Sequence, residues 1–452
     1  MANKVLLKGF YKTLFSIAIP IILQNLLQNL VNMMDTIMVG RLGALSIAAV
    51  GLGNQIFFML NMVIFGISSG ASIFISQFWG AQDFKGIRKS FGIMLILCFV
   101  ISIIFMTAAL LYPQGLISLY SNDQAVIEEG GRYLKTVAPC YPLFAISFAC
   151  QMAFRSTENV LLPMVTTTIS FILNISLNYL LIFGFAPLNI PSYGVVGAAL
   201  ATLFSRSVET LIILIGGRLK GYEVMKKISQ LFLFDSAFIK KLIIVALPVL
   251  LSESCWGLGI TSQNSIFAHS GTDSFSAYSI MNTISQLTWV VFIGMGNAAS
   301  VILGKKIGAG EESTAKAFAH KYAWFFPLMG FFIGLFLFPL SLLLPYLFNV
   351  SPEIIAITQS MIYVLIALYP FRAFNILIII GICRSGGDTI FASLIDNGWM
   401  WVLAIPLGCL ACFVWQLPAW IIFLCLESEQ IFKTLCGIWR LKSGKWLKNI
   451  TK

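Results

Sequence analysis

The sequence predicts an all-α integral membrane protein of about twelve transmembrane helices in two pseudo-symmetric six-helix lobes. Three observations lead there: an apolar composition, a one-sided distribution of basic residues and an internal repeat. Of 452 residues 58% are hydrophobic and only 10% charged, against roughly 25% charged in a soluble domain, which excludes a water-soluble chain. Apolar stretches recur at residues 13–38, 47–77, 91–112, 134–155, 161–184, 195–217, 239–268, 276–303, 320–345, 358–382, 389–413 and 417–439. Each is near the roughly 20 residues an α-helix needs to cross about 30 Å of hydrocarbon. They lack the alternation of barrel strands, and lipid offers backbone amides no partner outside the segment, so helices remain.

The charge distribution orients these spans. A net charge of +11 could suit a polyanionic partner, but the basic residues follow topology instead. With both termini in the cytoplasm, Arg41, Arg132 and Lys135 fall outside and Arg206 and Arg372 lie within spans, leaving 24 of 29 Lys and Arg inside. Among these are Lys4, Lys8, Lys85, Arg88, Lys226, Lys227 and the series from Lys433 to Lys452. This is the positive-inside bias of a multi-pass protein of the cytoplasmic (inner or plasma) membrane, in contact with lipid and without a nucleic-acid partner. A monomer is the expected form. The first apolar run is too long for a signal peptide, contains Asp35 and offers no small-residue cleavage site, so it is expected to be retained as a span. Nine cysteines, scattered mostly through apolar stretches, imply no disulfide framework. The CxxC of Cys409 and Cys412 has no nearby His and reads as buried structure.

The third observation is a duplication with an offset of 228. Ala18 and Pro20 meet Ala246 and Pro248, Gly43 meets Gly271, and Ala49 meets Ala277. The pair Gly80, Ala81 meets Gly308, Ala309; Pro142 meets Pro370; and one residue of slippage brings Arg155 onto Arg384. An even number of spans per half makes the repeats parallel. The expected organisation is an N-lobe over 1–217, a basic cytoplasmic linker over 218–241, a C-lobe over 242–440 and a cytoplasmic tail over 441–452. Rocking of one lobe against the other, with substrate held between them, is the mechanism such an arrangement suits.

Most acids, including Asp83, Asp235, Glu427 and Glu429, fall in loops and read as solvated. Asp35, Glu209 and Glu253 fall inside spans, with Asp396 as a fourth candidate. A charge at bilayer depth costs at least a few kcal/mol, so such residues face protein or a wet cavity and are functional candidates. Asn25, Gln28, Asn32 and Asp35 recur at helical spacing on the first span. Thr167, Ser170, Asn174 and Asn178 do so on the fifth, and Thr202, Ser205, Arg206 and Glu209 on the sixth. These stripes fit either a shared polar interior that binds a cation or interhelical hydrogen bonding that only holds the bundle together. Glu209 lies one turn from Arg206, which favours a structural ion pair. In the second half Glu253, Arg372 and Asp396 are the ionisable candidates. Trp256, Tyr278, Asn282, Gln286 and Trp289 form a set that either lines a cavity for organic cations or packs the bundle.

Several runs together resemble the multidrug and toxin extrusion (MATE) family. They are Asp35-Thr-Ile-Met-Val-Gly-Arg-Leu-Gly43, Gly80-Ala-Gln, Asn174-Ile-Ser-Leu-Asn178 continuing to Gly184, and Gly197-Ala-Ala-Leu-Ala-Thr202. The second half adds Gly308-Ala-Gly310 and Arg384-Ser-Gly-Gly-Asp-Thr389. The resemblance implies a V-shaped pair of six-helix bundles exporting small amphipathic, often cationic, organic compounds in exchange for H⁺ or Na⁺, with no other cofactor and no structural metal. It implies that Asp35 binds the coupling cation or proton, with Asn174, Asn178 and Thr202 beside it. Many relatives carry Asp where this chain has Asn178. Glu253 resembles a seventh-helix acid of some subgroups. An exporter or flippase of lipid-linked saccharides from the same superfamily is the alternative, with Arg206 and Arg372 as its basic candidates. An enzyme is not expected, since neither HExxH nor a phosphate-cradling Gly-Lys-Ser/Thr loop occurs.

Overall fold

A computed structural model describes residues 9–185, 187, 189–233, 236–348 and 350–451. Lys4, Lys8, Asp235 and Lys452 lie outside the described residues. The described chain is built from helices: α1 (Phe10–Gly40), α2 (Ala44–Gly80), α3 (Phe84–Leu111), α4 (Gln124–Val137), α5 (Cys140–Ser156), α6 (Leu161–Phe183) and α7 (Gly194–Leu219). After the linker follow α8 (Ser236–His269), α9 (Thr272–Gly308), α10 (Glu312–Leu342), α11 (Pro352–Ile376, continuing to Arg384) and α12 (Thr389–Val414). Two shorter helices, α13 (Ala419–Glu427) and α14 (Glu429–Ser443), close the chain.

Ten described helices are long and apolar enough to cross a membrane, and α4 with α5, bent by 52°, supply an eleventh if counted as one span. The stretch expected as a twelfth, 417–439, divides at Ser428 into α13 and α14. The fold class is all-α and polytopic. Exposed apolar side chains such as Phe331 and Leu335 of α10 are what lipid, not water, solvates.

Repeat landmarks take equivalent structural roles. Pro20 and Pro248 both lie inside long helices, where each removes one backbone hydrogen bond. Gly43 and Gly271 hold φ of 121° and 110° in the turns after α1 and α8, a region open chiefly to glycine. A Cβ on Gly80 would lie 1.9 Å from the Lys305 carbonyl oxygen, and one on Gly308 would lie 1.8 Å from that of Gln77. Backbones touch there because both residues lack side chains. α11 ends in π-helical turns over Leu377–Arg384, a feature that re-aims side chains and gathers at functional positions.

Two compact units result. One comprises Leu23–Ile75 and Asp83–Ala246; the other comprises Met1–Ile22, Ser76–Gln82 and Leu247–Lys452. The first segment of α1 and the last of α2 thus pack with the second-half helices, and the first segment of α8 packs with the first-half ones.

Candidate functional site

Helical periodicity places Asn25, Gln28, Asn32 and Asp35 along one face of α1, and the first-half unit joins this face to α6 and α7. Asn178 donates through Nδ2 to Asp35 Oδ1, and to Asn174 Oδ1 at 3.1 Å. Asn174 donates in turn to Ser205 Oγ at 3.5 Å, while Ser205 donates to the Thr202 carbonyl at 3.0 Å. Gln28, Asn32, Asp35, Asn174, Thr202, Ser205 and Arg206 share the wall of a cavity of about 40 Å³, room for roughly one to three waters. Asp35 is half-buried and Asn178 fully buried. The Oδ1 of Asn178 has no hydrogen-bond partner.

Among Asp35, Asn174, Asn178 and Thr202 the aspartate carries the one formal charge. Arg206 lines the same cavity, yet its guanidinium is held by Glu209 at 2.7 Å, as the one-turn spacing predicts. Glu209 also accepts from Gln151 at 2.9 Å and from Thr167 at 3.3 Å. Gln24 donates to Gln151 at 2.7 Å and to Thr167 at 3.1 Å, and its carbonyl oxygen accepts two N–H groups of Arg155 at 2.6 and 3.1 Å. Arg155 also donates to Asn25 at 3.3 Å. It is buried, and among the described residues no carboxylate lies within ion-pair distance of it. Gln24, Gln151 and Arg155 are absent from the sequence-derived candidates; their one signal is the alignment of Arg155 with Arg384.

The second-half unit is built differently. Glu253 pairs with Arg384 at 2.6 Å, Arg372 pairs in bidentate fashion with Glu427 and donates to Ser285, and Lys433 bridges Asp396 at 3.2 Å and Glu429 at 2.9 Å. The loop reading of Glu427 and Glu429 is therefore corrected. Both are buried, because α13 and α14 turn them inward to meet cations of α11 and α14. Lys433, counted among the cytoplasmic charges, is likewise a buried partner. Asp388 is buried too, held by Arg440 and Lys448 at 2.7 Å each, a structural role.

Trp256 and Trp289 stack with ring centroids 6.4 Å apart, both half-buried. Tyr278 is buried against Phe267 at 4.1 Å and serves packing. Asn282 is half-buried and Gln286 exposed on the same helix.

The model of the MatE family matches residues 20–180 and again 248–410. The chain belongs to the MatE family. Its two matches start at 20 and 248, the offset of the internal repeat. The MatE chain is 25% identical to a probable multidrug resistance protein NorM of Thermotoga maritima over 97% of its length and 93% of that protein. It is 22% identical to the human multidrug and toxin extrusion protein 1 over 97% of its length and 75% of that protein. Its fold matches the Vibrio cholerae MATE transporter VcmN, solved as a mutant, with a TM-score of 0.88 at 18% identity, covering 98% of this chain and 99% of the other. MatE proteins are transporters, not enzymes. The chain carries one enzyme-like spacing, Gly66-Ile-Ser68-Ser-Gly70, but Ser68 lies inside α2 beside Cys98 and not on the strand-to-helix elbow that exposes a nucleophile.

Proposed function

We propose that this MatE transporter is a secondary active antiporter that exports amphipathic, cationic organic compounds across the cytoplasmic membrane in exchange for H⁺ or Na⁺ by alternating access. The observation that carries the proposal is Asp35: a half-buried carboxylate on a small polar cavity, beside the unpartnered Asn178 oxygen, with Arg206 already committed to Glu209. A bare carboxylate at this depth is costly, and a proton or a small cation with oxygen ligands relieves the cost. Coupling requires that the neutralised and anionic forms favour different arrangements of the protein, since a ligand shifts an equilibrium only through differential affinity. Bending of α1 near Pro20, where one backbone bond is already missing, supplies such an alternative.

In this reading the lobes 1–217 and 242–440 move against each other about the basic linker 218–241. Both termini are cytoplasmic and the protein works as a monomer. Trp256 and Trp289 offer an aromatic wall to a cationic substrate, and the multidrug names of the relatives support small organic compounds as cargo. The alternative, a saccharide-lipid flippase, is weakened because its basic candidates Arg206 and Arg372 are both neutralised by Glu209 and Glu427.

The test is transport in proteoliposomes with H⁺ and Na⁺ gradients imposed separately, using a fluorescent organic cation such as ethidium. One gradient should drive accumulation in the wild type, and Asp35→Asn should fold yet lose that accumulation. Undiminished uptake by the mutant would remove Asp35 from the mechanism.

A further inference from the structure

The carboxamide of Gln77, near the end of α2, is fully buried and makes three hydrogen bonds to backbone far away in sequence. Its Nε2 donates to the Ser385 carbonyl at 2.8 Å and to the Lys448 carbonyl at 3.1 Å, and its Oε1 accepts from the Ile450 amide at 2.9 Å. Residues 445–451 are thereby drawn into the second-half unit. The Lys448 amide donates to the Gly386 carbonyl at 3.0 Å, the Lys448 ammonium meets Asp388 at 2.7 Å, and Asn449 donates to the Ile307 carbonyl at 3.2 Å. Trp446 is completely buried. Terminal segments stay put only where such ties exist. Here the ties converge on the ends of α2 and α9, where Gly80 and Gly308 bring backbones into contact, and on the turn Ser385–Asp388.

We infer that the segment 445–451 is a strap that holds the ends of α2 and α9 together, and that Gln77 is a positioning residue of the transport cycle whose bonds must release for this side of the transporter to open. Most of α2 belongs to the other packing unit, whereas Ser76–Gln82 packs here. Because α2 runs from one unit into the other, any change in its path near Gln77 must either break the strap or tear Gln77 away from it. Each bond is modest by itself, but losing the carboxamide strands one buried and two part-buried backbone groups at once.

The inference rests on alternating access, but its test needs neither substrate nor gradient, so a failure to transport cannot imitate a failure of the strap. Ser76 is buried on α2, where its hydroxyl is the neighbour that a Cβ on Gly304 would meet. In a Cys255→Ser background that removes the exposed thiol, Ser76→Cys is labelled with an impermeant maleimide in the purified full chain, and modification of that residue is followed by mass. Gln77→Ala and a deletion of residues 445–452 should each speed labelling on the order of tenfold, as expected from losing a few mostly part-buried hydrogen bonds. The double variant should be no faster than either alone, because both break one device, while melting temperatures stay within a few degrees of the parent. Labelling rates unchanged by the deletion, or accelerations that multiply in the double variant, would overturn the strap. Should Gln77→Ala not fold, Gln77→Glu keeps the acceptor for Ile450 and removes both donors, and is read in the same way.

Discussion

The two repeats solve the same problem, a buried arginine near the end of a helix, with different chemistry. In the first, Arg155 is held by the amide of Gln24; in the second, Arg384 is held by the carboxylate of Glu253. Both pairs keep the same spacing, since 253 and 384 lie 229 residues beyond 24 and 155. The difference extends outward. The first-half interior joins amides and hydroxyls to a single ion pair, Arg206–Glu209, and leaves Asp35 without a cation, whereas the second-half interior is a set of ion pairs with each cation matched to acids. Breaking a buried pair by removing one partner is costly, so the second half is arranged for permanence. An aspartate whose nearest partner is neutral is arranged for change.

That contrast can be broken in order of expected effect. Asp35→Asn should abolish gradient-driven accumulation altogether while leaving the fold intact. Lys433→Met removes the cation shared by Asp396 and Glu429 and should cost about 3–5 kcal/mol, measured as lost resistance to heat or denaturant in detergent; a neutral result would mean the two acids do not depend on the lysine. Gln24→Glu gives Arg155 a carboxylate but deletes the N–H donors to Gln151 and Thr167. It should therefore destabilise by about 1–3 kcal/mol. Glu253→Gln, the reverse exchange, keeps an acceptor for Arg384 but removes its counter-charge, and should cost about 1–3 kcal/mol with coupled transport retained. Full transport in Asp35→Asn together with none in Glu253→Gln would move the coupling role to the second half.

The spans and the polar stripes were legible because period and composition are local properties: Asp35 and Asn178 each announce themselves by lying on a polar face of an apolar helix. The repeat was legible because proline and glycine mark backbone events, and those events recur at Pro20 and Pro248 and at Gly43 and Gly271. What stayed hidden is long-range. Glu427, Glu429 and Lys433 stand in a charge-rich stretch near the end of the chain, where local composition argues for water. Only the turn at Ser428 reveals that they face Arg372 and Asp396. Gln24 sits one residue off the stripe that holds Asn25, so periodicity alone passed over it. The ties of residues 445–451 have no local signature at all, because their partners, the Gln77 side chain, the Ile307 and Gly386 carbonyls and Asp388, lie from 60 to more than 370 residues away in the chain.

The contact of Gly80 with Lys305 and of Gly308 with Gln77 is reciprocal, because 305 and 308 are the repeat equivalents of 77 and 80. Such an isologous joint is what two identical half-length chains make across a two-fold axis, where one patch meets its own copy. In a homodimer of that kind every substitution at the joint would be felt twice. Within a single chain the two sides are free to diverge, and position 77, a lysine in its counterpart, has become the glutamine that grips the tail.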